Sequence, residues 1–368
     1  MFKEIMKIGE AELTCEYRKS LSQKPMLKNL FWETTLRCNA RCKHCGSRAG
    51  EQTKLTDELR TEEIKNAFKS ISEKYDASKI LINVTGGEPL VRDDLFDVMK
   101  YASDLGYKWG MTTNGILIND EIISKMKETK MGTVSISIDG LEKTHDEFRG
   151  VPGSYKKIMQ NIKKLREAKF LYCLQVTTVV SKSSINELDE LYKVMKDLGV
   201  DSWRIVNMDP IGRANDNAII ALEANDYRRL IDFIKDKRKH SKFDITYGCS
   251  HFLGMKDEKE VRSQSFFCHT GYLTGSILYN GDIFVCPNVP RRKDLIQGNI
   301  RKDDFVNTWE NGFKWFRNED RQKCTECEKC KDYKYCKGDS LHTWNFEENK
   351  PNLCLNKLLK EAGKWKTS

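Results

Sequence analysis

The segment Cys38-Asn39-Ala40-Arg41-Cys42-Lys43-His44-Cys45 decides how the chain is interpreted, because it places three thiols on one short loop. The spacing is C-x3-C-x2-C, and the loop follows an apolar, strand-like run directly. Iron–sulfur clusters that only transfer electrons are held by four cysteines. Three thiolates can hold three irons of a four-iron cluster and leave the fourth iron open to a ligand.

Structural zinc is the alternative for this loop, since zinc takes four nitrogen or sulfur ligands and His44 could supply one. A histidine wedged between two cysteines of one loop has poor geometry for sharing their metal. We therefore expect a [4Fe-4S] cluster, with Cys38, Cys42 and Cys45 as its ligands.

Short apolar runs alternate with amphipathic helical patterns from about residue 30 to 240. The expected strands are Leu30–Thr35, Ile80–Thr85, Lys108–Thr113, Thr133–Ile138, Leu171–Val179 and Ser202–Asn207. The expected helices lie near Thr61–Lys74, Asp93–Leu105, Asn119–Lys127, Lys156–Ala168, Asn186–Leu198 and Ala224–Arg238. Six strand–helix units in series predict an α/β fold with a parallel sheet and right-handed crossovers.

Polar motifs follow the predicted strands at the point where each one ends. Thr85-Gly86-Gly87-Glu88-Pro89-Leu90 ends the second strand, where two glycines allow close approach of the backbone and Glu88 supplies a carboxylate for an ammonium group. Thr113-Asn114-Gly115 ends the third strand, Ser137-Ile138-Asp139-Gly140 ends the fourth, and Arg149-Gly150 follows. Each motif alone is a common turn. Their recurrence at successive strand ends indicates one ligand site.

The cysteine triplet and these motifs together resemble the radical S-adenosylmethionine (radical SAM) superfamily over about residues 30 to 210. The resemblance implies a partial (β/α)6 TIM-like barrel that binds S-adenosylmethionine. It implies cofactor contacts from Gly86, Gly87, Glu88, Asn114, Ser137 and Arg149. The resemblance also implies that Cys38, Cys42 and Cys45 are the catalytic residues. In this family the reduced cluster cleaves S-adenosylmethionine to methionine and a 5′-deoxyadenosyl radical, which removes a hydrogen from the substrate. An electron donor such as flavodoxin or ferredoxin is implied.

Cysteines crowd the last third of the chain, which holds eight of the thirteen: Cys249, Cys268, Cys286, Cys324, Cys327, Cys330, Cys336 and Cys354. The spacings Cys268-x12-Gly281-x4-Cys286 and Cys327-x2-Cys330-x5-Cys336, followed by Cys354, resemble the SPASM domain, which usually holds two auxiliary iron–sulfur clusters. The resemblance implies one cluster on Cys327, Cys330, Cys336 and Cys354, and part of another on Cys268 and Cys286.

One position departs from the SPASM pattern. Ser340 stands where the family carries a cysteine, four residues after Cys336. The remaining ligands of the second cluster could be Cys249, Cys324, Asp339 or Ser340, or one iron could stay open, so we expect one or two auxiliary clusters. Zinc is again an alternative, because C-x2-C pairs are typical of zinc ribbons. The spacing around Gly281 and the N-terminal triplet favour iron.

The remaining composition fits a cytoplasmic enzyme with no membrane segment. We see no secretory signal, and no apolar run approaches the roughly 18 residues that span a bilayer. The net charge of +9 comes from lysines mixed with acids along helices, which is typical of solvated faces, so nucleic-acid binding is not expected. We divide the chain into an N-terminal extension (1–28, a short helix or hairpin), a barrel (29–240) and a SPASM-like domain (241–368).

The expected substrate is a peptide or protein that undergoes post-translational modification, because SPASM domains mostly accompany that chemistry. One alternative is a small molecule, such as a carbohydrate or a tetrapyrrole precursor. A different class is a non-catalytic scaffold stapled by iron–sulfur clusters or zinc. Glu88 and its glycines argue against the scaffold, since a scaffold has no need of a carboxylate for an ammonium group.

Overall fold

The computed structural model describes residues 2–51, 56–217, 221–248 and 251–364. The strands are β1 (Asn29–Glu33), β2 (Leu81–Thr85), β3 (Lys108–Thr113), β4 (Thr133–Ser137), β5 (Cys173–Val180), β6 (Ser202–Asn207), β7 (Asp244–Tyr247), β8 (Thr274–Ile277), β9 (Asp282–Phe284), β10 (Gly298–Asn299), β11 (Trp344–Asn345) and β12 (Lys350–Pro351). The helices are α1 (Phe2–Gln23), α2 (Thr61–Lys74), α3 (Leu95–Asp104), α4 (Asp120–Glu128), α5 (Glu142–Arg149), α6 (Ser154–Ala168), α7 (Leu188–Leu198), α8 (Arg213–Asp216), α9 (Ala224–His240), α10 (Glu258–Val261), α11 (Phe305–Asn311), α12 (Lys314–Arg317), α13 (Thr325–Glu328), α14 (Tyr333–Cys336) and α15 (Leu355–Lys364).

One large sheet organises the molecule, with strand order β10-β9-β8-β1-β2-β3-β4-β5-β6-β7. The six predicted strands are confirmed: β1 to β6 lie side by side in chain order and all pair in parallel. Two further parallel strands extend them, β7 beside β6 and β8 beside β1. Because parallel strands end at the same edge, the loops after β1 to β6 all meet there.

The core lies between this sheet and the helices that follow its strands. Every second residue of β5 is buried, as expected for side chains that alternate between two faces. Trp32, Trp109 and Trp203 are fully buried in the sheet. The start of α4 is capped by a side chain: the Asn119 side chain accepts the Ile122 N–H at 2.8 Å.

The segment after residue 240 folds into short elements and joins the same sheet through β7 and through β8, β9 and β10. The division of the chain near residue 240 therefore stays a prediction. The N-terminal extension is a helix, α1, which packs on the C-terminal segment: Arg18 pairs with Glu319 at 2.9 Å and donates to the carbonyls of Lys334 and Tyr335. In the part of the chain that the structure describes, no helix is both long and apolar enough to cross a membrane.

Candidate active site

The three N-terminal cysteines lie on the loop that leaves β1. Cys42 is buried, and Cys38 and Cys45 are half-buried. Burial, with smaller contributions from the nearby Glu88 carboxylate and the thiols of Cys42 and Cys45, raises the pKa of Cys38 to about 11, while the Ala40 N–H opposes the rise. A cysteine binds metal as the thiolate, so metal binding to this loop must release protons. Three neighbouring thiols, each at least half-buried, fit an iron–sulfur cluster by their donor chemistry.

Across the described residues, no three His, Cys, Asp or Glu side chains converge as ligands of a single metal ion. Cluster thiolates each bind a different iron, so they stand further apart than the ligands of one ion. His44, which only the disfavoured zinc alternative would use as a ligand, is instead half-buried and stacked on Phe148, with ring centroids 4.5 Å apart and an interplanar angle of 9°. Burial lowers the pKa of His44 to about 4. Its ring therefore supports the loop as a neutral, packed group.

The glycine pair after β2 lies directly against the start of the cysteine loop. Gly87 donates its N–H to the Thr35 carbonyl at 2.7 Å, and Glu88 donates its N–H to the Arg37 carbonyl at 2.9 Å. A Cβ on Gly87 would stand 2.2 Å from the Arg37 carbonyl oxygen. We expected Gly86 and Gly87 to let the backbone approach a ligand closely, and the structure gives them a second role: only glycine lets these two segments touch.

The Glu88 carboxylate is fully buried at the ends of β2 and β3. It accepts hydrogen bonds from the Thr113 hydroxyl at 2.7 Å and from the Asn114 N–H at 2.8 Å. Burial raises the pKa of Glu88, and these donors oppose the rise. The Asn114 side chain donates to Asn39, which lies beside Cys38, at 2.7 Å. Glu88 and Asn114 thus join the ends of two strands to the cysteine loop.

Arg149 also contacts the cysteine loop. It is buried, pairs with Asp139 at 2.6 Å, and directs a guanidinium N–H toward the Cys42 sulfur at 3.6 Å. Burial alone would raise the pKa of Asp139, but Arg149 holds it below its usual range. Ser137 ends β4 half-buried, close in sequence to Asp139. Whether Ser137 and Arg149 contact S-adenosylmethionine stays a prediction.

Sequence reasoning missed the role of Arg213, which begins α8 in the loop after β6. Its guanidinium donates to the carbonyls of Cys42 at 2.8 Å and Ala49 at 3.0 Å, and its N–H donates to the Cys45 carbonyl at 3.0 Å. Gly212, at φ 56°, lies so near that a Cβ would stand 2.4 Å from the Cys45 carbonyl oxygen. The loop after β6 therefore clamps the backbone that carries the thiols.

Five C-terminal cysteines gather at a second place: Cys324, Cys327, Cys330, Cys336 and Cys354. The sulfurs of Cys324 and Cys327 are 2.7 Å apart. Burial raises the pKa of Cys327 to about 12, and the Cys324 and Cys354 thiols contribute. Burial raises the pKa of Cys354 and of Cys336, and a neighbouring thiol contributes in each case: Cys330 beside Cys354, and Cys354 beside Cys336. Four of these are the predicted ligands of one auxiliary cluster, and Cys324 lies with them.

The predicted ligands of the second auxiliary cluster each contact different groups. The Cys268 sulfur lies 3.0 Å from the Thr270 hydroxyl, and Cys286 is half-buried after β9. The Asp339 carboxylate is bound by the Nδ1 atom of His251 at 2.9 Å and by the Phe252 N–H at 2.7 Å. Cys249 lies outside the described residues, and the ligand set of this cluster stays a prediction.

A buried network that the sequence did not reveal joins the two parts of the molecule. His251 is fully buried between Asp339 and Asp209, whose carboxylate lies 2.8 Å from its Nε2 atom just after β6. Burial alone would lower the pKa of His251, but the two carboxylates raise it to about 10. His342 approaches Asp209 at 3.4 Å. The network fixes the segment near Cys336 to the end of β6.

The comparisons with known proteins agree with this geometry. The model of the radical SAM superfamily matches residues 32–195, and the model of SPASM, an iron–sulfur cluster-binding domain, matches residues 268–331. The AdoMet-dependent heme synthase of Methanosarcina barkeri is 31% identical over 84% of this chain and 90% of its own length. The chain belongs to the radical SAM superfamily. It is a radical SAM enzyme, and its cofactors are S-adenosylmethionine and iron–sulfur clusters, as predicted.

Further radical SAM relatives cover most of the chain. The mycofactocin maturase of Mycobacterium tuberculosis is 28% identical over 85% of this chain and 78% of its own length. Among solved structures, Streptococcus suis SuiB bound to the precursor peptide SuiA matches with a TM-score of 0.70 at 19% identity, over 93% of this chain and 78% of that one. The protein anSMEcpe with bound AdoMet matches with a TM-score of 0.70 at 20% identity, over 92% of this chain and 95% of that one. These structural likenesses confirm the predicted α/β fold.

Proposed function

We propose that this radical SAM enzyme abstracts a hydrogen atom from a peptide or protein and thereby starts its post-translational modification. When bound, the cluster on Cys38, Cys42 and Cys45 supplies the electron that cleaves S-adenosylmethionine. The observation that carries the proposal is the convergence of Glu88 and Arg149 on one thiol loop, where the Glu88 N–H donates to the Arg37 carbonyl and the Arg149 guanidinium approaches the Cys42 sulfur. The protein contributes orientation and exclusion of water at that loop.

Each of the chain's own groups has a defined task in this proposal. Glu88, fixed by Thr113 and the Asn114 N–H, presents a carboxylate to the amino group of the methionine moiety. Arg149 stabilises the Cys42 thiolate, since an N–H donor beside sulfur favours the charged form. Arg213 holds the carbonyls of the loop so that the three thiols keep their positions.

Two observations support a peptide substrate. The mycofactocin maturase resembles the chain over most of both lengths. In addition, three arginines near the strand ends are each paired with an acid, so their charges are already matched: Arg149 with Asp139, Arg213 with Glu51, and Arg291 with Glu33. A substrate rich in carboxylates would have to compete with these partners, whereas a peptide backbone can bind through neutral hydrogen bonds.

A tetrapyrrole precursor is the second candidate. It is favoured by the likeness to the heme synthase of Methanosarcina barkeri, at 31% identity over nearly the whole of that protein. A heme synthase of Nitratidesulfovibrio vulgaris is 28% identical over 88% of this chain. A tetrapyrrole carries several carboxylates, which would compete with the acidic partners of Arg149, Arg213 and Arg291.

Labelled substrates distinguish the two candidates. The reconstituted enzyme is incubated anaerobically with dithionite and S-adenosylmethionine, and with either deuterated peptides encoded beside its gene or Fe-coproporphyrin III. We expect a peptide to increase 5′-deoxyadenosine formation and to transfer deuterium into it, because the abstracted atom moves to C5′. Stimulation by the tetrapyrrole alone, with no deuterium from any peptide, would overturn the peptide proposal and leave the radical chemistry intact.

A further inference from the structure

One face of the parallel sheet is only half-buried. Along β4 and β5 every second residue is buried, and most of this buried set belongs to the core that the sheet shares with the helices. The residues between them, among them Ser135, Ser137, Gln175 and Thr177, are half-buried. Helices on both faces of a parallel sheet would bury both sets. The side of β4 and β5 that carries the half-buried set is therefore called the uncovered face.

Three neutral side chains on the uncovered face form one hydrogen-bonded group. The Gln175 side-chain amide donates to the Ser135 hydroxyl at 2.9 Å, and the hydroxyls of Ser135 and Thr177 lie 2.8 Å apart. Two hydroxyls that share one hydrogen bond use one of their two hydrogens, so the second hydrogen stays available. The Gln175 carbonyl oxygen accepts no hydrogen bond from the described residues. The group thus presents one acceptor and one donor.

This donor and acceptor match an amide group in their hydrogen-bonding chemistry. An amide offers one N–H for the Gln175 carbonyl and one C=O for the available hydroxyl hydrogen. A carboxylate has no hydrogen to donate to Gln175, and β4 and β5 contain no charged residue that could pair with it. The uncovered face is therefore suited to a neutral, amide-bearing substrate.

The group also lies close to the edge of the sheet at which the cysteine loop and Glu88 meet. Ser135 pairs in register with Gln175, and Ser137, the last residue of β4, pairs with Thr177. A strand rises about 3.3 Å per residue, so the group lies within about 7 Å of the end of β4. A substrate amide bound there would place the neighbouring side chain next to the site of hydrogen abstraction.

We propose that Ser135, Gln175 and Thr177 bind one backbone amide of the peptide substrate. The Gln175 carbonyl accepts the amide N–H, and the available hydroxyl hydrogen is donated to the amide C=O. The three residues act by binding and orienting the substrate and take no part in bond breaking. This inference rests on the proposed peptide function and names the residues that recognise the peptide.

The experiment uses the full-length, reconstituted enzyme with the peptide encoded beside its gene that stimulates 5′-deoxyadenosine formation. A second set of the same peptide carries an N-methyl group on one backbone nitrogen at a time, which removes that N–H. The variants are Gln175→Leu and the double variant Ser135→Ala with Thr177→Val, and the matched control is Gln160→Leu, at an exposed glutamine of α6. KM and kcat for each peptide are measured at saturating S-adenosylmethionine, and iron content and the unfolding midpoint report on folding.

We expect Gln175→Leu and the double variant each to raise KM for the peptide by about 3- to 10-fold, the effect of losing one hydrogen bond. Gln160→Leu should keep the KM of wild type. N-methylation at one backbone position should raise KM for wild type and have little further effect in Gln175→Leu, because the accepting oxygen is already absent.

Two results would overturn this inference while the peptide function stands. One is a wild-type KM in both Gln175→Leu and the double variant. The other is an equal cost of N-methylation in wild type and Gln175→Leu at every backbone position. If no peptide stimulates wild type, the proposed function fails and this inference fails with it. The behaviour of wild type therefore separates the two kinds of failure.

Discussion

Arg149 places a buried positive charge between the Asp139 carboxylate and the Cys42 thiol. Removing one partner of a buried ion pair leaves the other charge uncompensated, which typically costs about 3–5 kcal/mol. We expect Arg149→Met to lower the free energy of unfolding by that amount, measured by chemical denaturation. Adding Asp139→Asn to this variant should recover part of the loss, and a loss below 1 kcal/mol would contradict the buried pair.

His145, whose Nδ1 atom accepts the Asp139 N–H, makes the stability of the protein depend on pH. Burial lowers the pKa of His145 to about 4, and Arg149 contributes. Its ordinary pKa is near 6.5, so between pH 6.5 and 4 the unfolded chain binds a proton that the native protein does not. Stability from the neutral ring is complete above pH 6.5 and is lost as the pH falls. From pH 7.5 to 5.5, wild type should lose more unfolding free energy than His145→Gln, and parallel pH profiles would refute the assignment.

At the scale of elements, the contact between the turn after β2 and the loop after β1 leaves no room for a side chain. A Cβ on Gly87 would stand 2.2 Å from the Arg37 carbonyl oxygen, whereas a Cβ on Gly132 would meet its nearest atom at an ordinary 3.7 Å. Forcing the two segments apart costs about 1–3 kcal/mol or more. We expect Gly87→Ala to lower stability by that amount and to impair S-adenosylmethionine cleavage, while Gly132→Ala changes neither. Equal activity of the two variants would contradict the contact.

The elements themselves show where sequence reasoning works. Alternation of short apolar runs and amphipathic helices predicted six parallel strands, because a helix between two strands returns the chain to the same end of the sheet, so that the strands run in the same direction. The cysteine triplet and the Gly86-Gly87-Glu88 motif were found because the residues within each motif are close together in the sequence. Arg213 and His251 were missed, since they act on carbonyls and carboxylates that are far away in the sequence and become neighbours only in the fold.

At the scale of the whole molecule, helix α1 ties the start of the chain to the cluster-bearing C-terminal segment. Arg18 is buried, pairs with Glu319, and donates to the carbonyls of Lys334 and Tyr335 beside Cys336. We expect Arg18→Ala to destabilise the protein by about 1–3 kcal/mol and to speed loss of auxiliary iron to a chelator several-fold. The neighbouring Lys19→Ala, which breaks only an exposed pair with Glu16, should change stability by less than about 0.5 kcal/mol. Similar rates of iron loss from Arg18→Ala and Lys19→Ala would contradict a role of Arg18 in holding the C-terminal segment.

The central claim is that Cys38, Cys42 and Cys45 hold the cluster that cleaves S-adenosylmethionine. The most direct measurement is 5′-deoxyadenosine formed by the anaerobically reconstituted protein with dithionite, compared among wild type, Cys42→Ala and Cys173→Ala, a half-buried thiol of β5. We predict product from wild type and Cys173→Ala, and none from Cys42→Ala, which should still retain its auxiliary iron. Continued formation of 5′-deoxyadenosine by Cys42→Ala would contradict the claim.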